Sequence, residues 1–265
     1  KFPAKYQKAL YLLDWTFGTI HVVHPKAAGA SYTATREEFL SRTPLPLTDA
    51  AIGPDGAFYF TVGGRGAQSE LFRVTYVGDA STATVDGKDT EFAELRAVRR
   101  KLETYHNDNS SSAKAVEFIW PNLGHADRHI RFAARTALEH QATKLWQGRA
   151  LAEKDPETFI SAVIALARQG DKSLEPQVLE ALDGIYLGAL TDMQKLALLR
   201  AYGLTIVRMG RPDQQTAARI SQKLDPLYPA KTDDLNRELS RVLVALNSPT
   251  VITKTLKLMH AESTQ

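Results

Sequence analysis

Cysteine is absent from all 265 residues, and that one gap closes several chemistries. The chain can form no disulfide, thiolate zinc site, iron–sulfur cluster, cysteine nucleophile or covalent haem attachment through C-x-x-C-H. Long apolar runs are missing too: nothing approaches the roughly 20 residues a helix needs to cross a bilayer, and the first residues carry no signal-peptide pattern. An excess of one charge is scarce as well. Thirty-three Lys and Arg stand against thirty Asp and Glu, a formal net charge of +3, too small at this length to announce a nucleic-acid partner. With 43% apolar and 24% charged residues, the composition is that of a folded globular protein, neither disordered nor fibrous.

What is present is unevenly spread. Residues 1–90 hold nine of the sixteen glycines, nine basic and nine acidic side chains, so the whole charge excess lies beyond them. Near residue 90 the hydrophobic period changes from two towards 3.6. The sequence therefore predicts a β part over 1–90, a connecting helix and linker over 91–111, and paired helices over 112–265.

In the β part, Ala9 to Asp14 and Thr19 to His24 flank the turn Trp15-Thr16-Phe17-Gly18, and Ser31 to Thr35 follows as a third strand. Arg36 to Leu40 reads as that strand's end or a helical turn. Leu47 to Gly53, Phe58 to Val62 and Leu71 to Val77 complete six antiparallel strands, with Pro54-Asp55-Gly56 as a tight turn. Six strands amount to about one and a half four-stranded sheets, leaving an apolar edge to be covered.

From Glu91 to His106, Phe92, Leu95, Val98, Leu102 and Tyr105 share a helix face, and Arg96 to Lys101 read as a solvated surface or a contact with the β part. After the break Asn107 to Ser112, helices are predicted in pairs: Lys114 to Trp120 with Ala126 to Leu145, Glu157 to Gln169 with Ser173 to Tyr186, Asp192 to Met209 with Asp213 to Leu224, and Asp234 to Leu246 with Pro249 to Met259. The pairs start 43, 35 and 42 residues apart, a spacing typical of two-helix solenoid repeats. Asp155-Pro156, Thr191-Asp192, Pro212-Asp213 and Ser248-Pro249 mark helix starts, while Gly170 and Gly210 mark ends.

Asp127, Arg131, Ala134 and Leu138 reproduce the D-x-x-x-R-x-x-A-x-x-x-L pattern of a repeat's second helix, so residues 112 to 260 resemble HEAT repeats. The later pairs keep the apolar spacing without the Asp/Arg signature. In the β part, D-W-x-x-G-x-I from Asp14, L-x-L-T-D-x-x-I-G-P-D-G-x-x-Y-F from Leu45 and G-G-R-G-x-Q-S-x-L-F-R-V-T-Y from Gly63 resemble the closing blades of the glucose/sorbosone-dehydrogenase-like β-propeller of planctomycete-type membrane-bound dehydrogenase proteins. There a propeller precedes HEAT repeats and usually a c-type cytochrome domain.

The resemblance implies a partial antiparallel β-propeller followed by an α-solenoid, in a periplasmic or secreted protein whose remaining blades lie outside this chain. Its parent would oxidise sugars or related alcohols with pyrroloquinoline quinone and calcium, and would carry haem c in a domain beyond Gln265. Asp14, Trp15, Gly63, Gly64, Arg65 and Gln68 would face the central funnel, with no catalysis by this segment alone. Glycines there allow close backbone approach to a ligand, Arg65 suits a carboxylate, and the Lys-Ser/Thr of a phosphate loop is missing. The competing reading is a HEAT-repeat scaffold that binds protein or polysaccharide and has no redox role.

Histidines offer little. His21 and His24 point to opposite faces of a strand, and His125 and His129 share a helix face but lack the Glu of a zinc protease, Ala126 standing in its place. Asn109-Ser110-Ser111 matches a glycosylation sequon.

Overall fold

Alternation at every second residue builds the first part of the chain. The computed structural model describes residues 1–64, 66–107 and 111–262, and the chain divides into two compact units, Lys1–Ala97 and Val98–Gln265. In the first, α1 (Ala4–Gln7) precedes β1 (Leu10–Asp14), β2 (Thr19–Ala28), β3 (Ser31–Ser41), β4 (Leu47–Ile52), β5 (Phe58–Gly64) and β6 (Ala67–Val74). These strands make two three-stranded antiparallel meanders, β1-β2-β3 and β4-β5-β6. The expectation of one and a half four-stranded sheets is thereby corrected. Arg36 to Leu40 belongs to β3, which pairs along the whole of β2, and β6 begins at Ala67 because Gly64 pairs with it across a tight turn.

The core follows the pleat. Phe58, Phe60 and Val62 of β5 are buried while Tyr59 and Thr61 between them are only partly so. They cluster with Phe2, Ile20, Leu45 and Leu47. The Phe58 ring stands 4.9 Å from Tyr11 and 5.7 Å from Phe39, one ring on each outer strand of the other sheet.

The Pro54-Asp55-Gly56 turn closes with Gly53 donating to the Ala57 carbonyl at 2.9 Å and Gly56 at φ +81°, a conformation that favours glycine. Asp55 Oδ1 accepts the Ala57 amide at 3.1 Å, while Oδ2 accepts the Tyr59 hydroxyl at 3.1 Å and Arg73 Nη2 at 2.7 Å. Arg73 above all, with the Ala57 amide, brings the Asp55 carboxyl down to about 2 from its ordinary 3.8. A carboxyl whose folded pKa is depressed stabilises the fold above its ordinary pKa and loses that contribution as pH falls through the folded value. Asp55→Asn is therefore expected to flatten the fall in melting temperature between about pH 4 and pH 2. An acid limb of unchanged slope in that variant would contradict the assignment.

The second unit is helical. α2 (Ala93–Glu103) leads into it across the division, followed by α3 (Ala113–Ile119), α4 (Arg128–Glu139), α5 (Gln147–Ala152), α6 (Pro156–Gln169), α7 (Glu175–Asp183), α8 (Asp192–Met209), α9 (Gln214–Leu224), α10 (Asp233–Ala245) and α11 (Val251–Glu262). One expectation at α2 fails: Phe92 lies before the helix at φ +52° and is 44% exposed. Of the two readings of Arg96, the contact with the β part holds, since it is buried, with its guanidinium donating to the Asp89 and Glu91 carbonyls and lying 5.1 Å from the Tyr32 ring of β3.

Caps set several helix starts. Asp127, Asp155 and Asp213 accept amides of their first turns, and Thr191 forms a capping box with Gln194. Thr232 caps α10, which begins one position before the expected Asp234. Ser248 donates to Asp225 at 3.1 Å. Of the two glycines expected at helix ends, Gly210 has φ +132° and Gly170 an ordinary φ of −73°.

Along α4, Ile130, Ala133, Ala134, Ala137 and Leu138 are buried at the i, i+3, i+4 spacing of one helix face. α4 packs on α6, α6 on α8 and α8 on α10. Ion pairs reveal their direction. Arg131 near the start of α4 meets Glu157 at the start of α6 at 2.9 Å, and Glu139 at the end of α4 meets Arg168 at the end of α6 at 2.8 Å. Start meets start and end meets end, so the two helices run parallel. Gln194 to Glu157 and Arg208 to the Arg168 carbonyl repeat this between α8 and α6, and Arg200 to Glu238 links α8 to α10. The expected contact of α3 with α4 is present, but the later pairs are out of phase with it, because α7 packs chiefly on α8 and not on α6. α5, absent from the sequence reading, packs on α6 and makes it, like α4, the second helix of its pair, so that α6, α8 and α10 share the layer of α4. In the D-x-x-x-R pattern, Asp127 caps its own helix, Arg131 bridges to the next, and Ala134 and Leu138 are fully buried.

Candidate functional site

The β1–β2 turn carries Trp15 and is held from both sides. Gly18 donates to the Asp14 carbonyl at 3.0 Å, and its own carbonyl accepts the Arg42 amide at 3.1 Å. With φ +67° and a Cβ that would fall 2.4 Å from the Arg42 carbonyl oxygen, this position excludes any side chain. Asp14 Oδ1 accepts the Thr16 and Phe17 amides at 2.9 and 3.0 Å. Its carboxylate closes its own turn.

Trp15, 40% exposed, stands between two grooves. One, of 320 Å³, is walled by Trp15, Phe17, Arg42, Pro44, Pro46 and Ala67. The other is open and walled by Trp15, Thr48, Thr61, Gly63, Ser69 and Leu71. Gly63 donates to the Pro46 carbonyl at 2.9 Å. A Cβ on Gly64, φ +91°, would lie 3.8 Å from the indole. Trp15, Gly63 and Gly64 are thus brought together from the two sheets. Gln68, on β6 beside them, lines neither groove. Arg65 lies outside the described residues.

Residues the sequence reading passed over furnish most of both walls. Thr48 Oγ1 sits 2.9 Å from Thr61 Oγ1, and Arg42 pairs with Glu70 while lying 5.0 Å from the Phe72 ring. The signal was the every-second-residue placement of Thr48, Thr61 and Ser69 on outward strand faces, which becomes a common wall only once the register is known.

A calcium-bound quinone does not suit this donor set. Calcium takes six to eight oxygen ligands, several of them carboxylate. Among the described residues the grooves offer one carboxylate, Glu70, and Arg42 holds it.

The histidines are engaged elsewhere. His24 Nε2 lies 3.0 Å from Glu37, which also pairs with Lys5 at 3.1 Å. His125 Nδ1 accepts the Asp127 amide at 2.9 Å. Among the described residues no three His, Asp or Glu are arranged to hold a metal ion, and no helix is long and apolar enough to cross a membrane. Asn109 and Ser110 of the sequon lie outside the described residues. Set beside known proteins, the chain matches no protein-family model, no curated protein and no solved structure.

Proposed function

We propose that this chain is a scaffold and docking segment with no catalysis of its own, its helices forming an α-solenoid of HEAT-like pairs and its six strands two consecutive blades of a larger β-propeller. One observation carries the reading: α4, α6, α8 and α10 lie side by side and parallel, cross-linked by Arg131–Glu157, Glu139–Arg168 and Arg200–Glu238. Parallel neighbours require a returning element between them, and α5, α7 and α9 occupy those places in the chain. Such an array lengthens by repetition and offers a broad surface. The grooves beside Trp15 agree with holding a ligand more than transforming one, since they present hydroxyls, an indole and a carboxylate already paired.

A second reading makes this segment part of a larger periplasmic or secreted protein that oxidises sugars or related alcohols and passes electrons to a cytochrome. The convergence of Trp15, Gly63 and Gly64 from both sheets favours it, because a funnel is assembled from loops of successive blades. Redox-dye reduction by this chain, with sugars and alcohols and with or without pyrroloquinoline quinone and calcium, is expected to show no turnover. Turnover would overturn the scaffold reading. Trp120 and Trp146 are buried at 3% and 1% exposure, so a fluorescence change on adding an oligosaccharide, lost in Trp15→Phe, would locate a polysaccharide ligand at the grooves.

A further inference from the structure

The side chains that tie the helical layer together also leave cations over. Glu139 sits between Arg135 on its own helix at 3.2 Å and Arg168 on α6 at 2.8 Å. Glu238 sits between Arg241 on its own helix at 3.4 Å and Arg200 on α8 at 3.3 Å. Each carboxylate thus answers two guanidiniums. The glutamate side chains are only 7% and 12% exposed, whereas Arg168, Arg200 and Arg241 are 44%, 60% and 66% exposed. Arg208 donates to the Arg168 carbonyl at 3.3 Å and has no carboxylate partner among the described residues. A guanidinium carries five N–H donors in a flat fork, so most of these donors point into solvent.

Apolar side chains are interleaved with them. Phe132, 61% exposed, lies 5.1 Å from the Arg135 guanidinium. Val207, 79% exposed, precedes Arg208, and Val244, 58% exposed, follows Arg241 by three positions on α10.

We propose that this face of the α4, α6, α8 and α10 layer docks an acidic segment of a partner protein, with a carboxylate about every third residue and apolar side chains between. The inference rests on reading the helices as a docking arm. Packed helices stand about 8–10 Å apart, and three residues of extended chain span about 10 Å, so successive carboxylates meet arginines on successive helices. Arginine accepts a carboxylate through two parallel hydrogen bonds. A nucleic acid fits less well. Its unbroken line of phosphates has no apolar side chains to cover the exposed Phe132, Val207 and Val244.

The test uses the whole chain and a labelled peptide of about 15 residues with Glu at every third position and Leu between, followed by fluorescence anisotropy at 150 mM and 300 mM salt. Arg200→Gln/Arg208→Gln is expected to weaken binding about tenfold, while Lys114→Gln/Lys257→Gln, which removes the same charge from exposed lysines elsewhere, leaves it within about twofold. Arg208→Gln alone orphans no carboxylate and so does not endanger folding, and it is expected to weaken binding about threefold. Equal affinities in the arginine and lysine variants would overturn the proposal, as would tighter binding of a single-stranded RNA of equal charge. Absence of any peptide binding would sink this inference and leave the scaffold reading, whose own test is dye turnover, untouched.

Discussion

Phe58→Ala should cost the β unit about 3–5 kcal/mol, the usual range for emptying a buried phenylalanine site. That is a large share of the about 5–15 kcal/mol that typically holds a domain folded. Phe58 is 3% exposed and pairs with Ile52 on β4 and Val74 on β6. Its ring reaches Tyr11 and Phe39 of the other sheet. Truncation therefore removes a transfer contribution within one sheet and opens a cavity against the other. The aromatic neighbours are too stiff to collapse into the space, which keeps the cost at the upper end of what burial alone would set. Urea midpoints followed by circular dichroism would measure it, and a loss below about 1 kcal/mol would show that this inter-sheet core is not as described. Ile52→Ala, 61% exposed on the adjoining strand, should cost under about 1 kcal/mol and serves as the matched control.

Trp146→Ala is expected to be equally severe in the helical unit, about 3–5 kcal/mol, for a different combination of reasons. The indole is 1% exposed and its Nε1 donates to the Gln141 carbonyl at 3.1 Å. The Trp146 amide donates to Thr143 at 3.0 Å, and its carbonyl accepts the Ala150 amide at 2.9 Å, so one residue closes a 3₁₀ turn and opens α5. Removing the ring leaves both a void and an unpaired buried carbonyl. Thermal unfolding would report the loss, and amide exchange would place it, with α5 expected to lose protection before α6. A variant in which α5 exchanges as slowly as in the parent would contradict this account. Leu145→Ala next door, 40% exposed, should cost under about 1 kcal/mol.

α5 is also the element least visible in the sequence, and the reason is physical. Six residues, Gln147–Ala152, include Gly148 and bury only Ala150, which is too short a run to show a helical period. Its missing turn shifted every assignment of first and second helix after it. β3 was foreshortened for a related reason. Arg36, Glu37 and Glu38 carry no apolar alternation, yet they continue the strand because β2 offers partners across it and Glu37 meets His24 and Lys5. The site was partly legible. Trp15, Gly63 and Gly64 do converge, while Gln68 lines neither groove and Asp14 Oδ1 is engaged by its own turn.

The sequence by itself determined that a glycine-rich stretch of alternating residues precedes helices with caps at most of their starts. Both are local properties, since strand and helix periods, turn glycines and capping residues act within about seven residues of one another. Only the tertiary structure decided that six strands close as three and three, that α4, α6, α8 and α10 run parallel in one layer, and that their arginines outnumber the carboxylates between them. Those outcomes depend on contacts between residues tens of positions apart, such as Glu139 with Arg168 and Arg200 with Glu238, and no local period encodes which distant charge will be met.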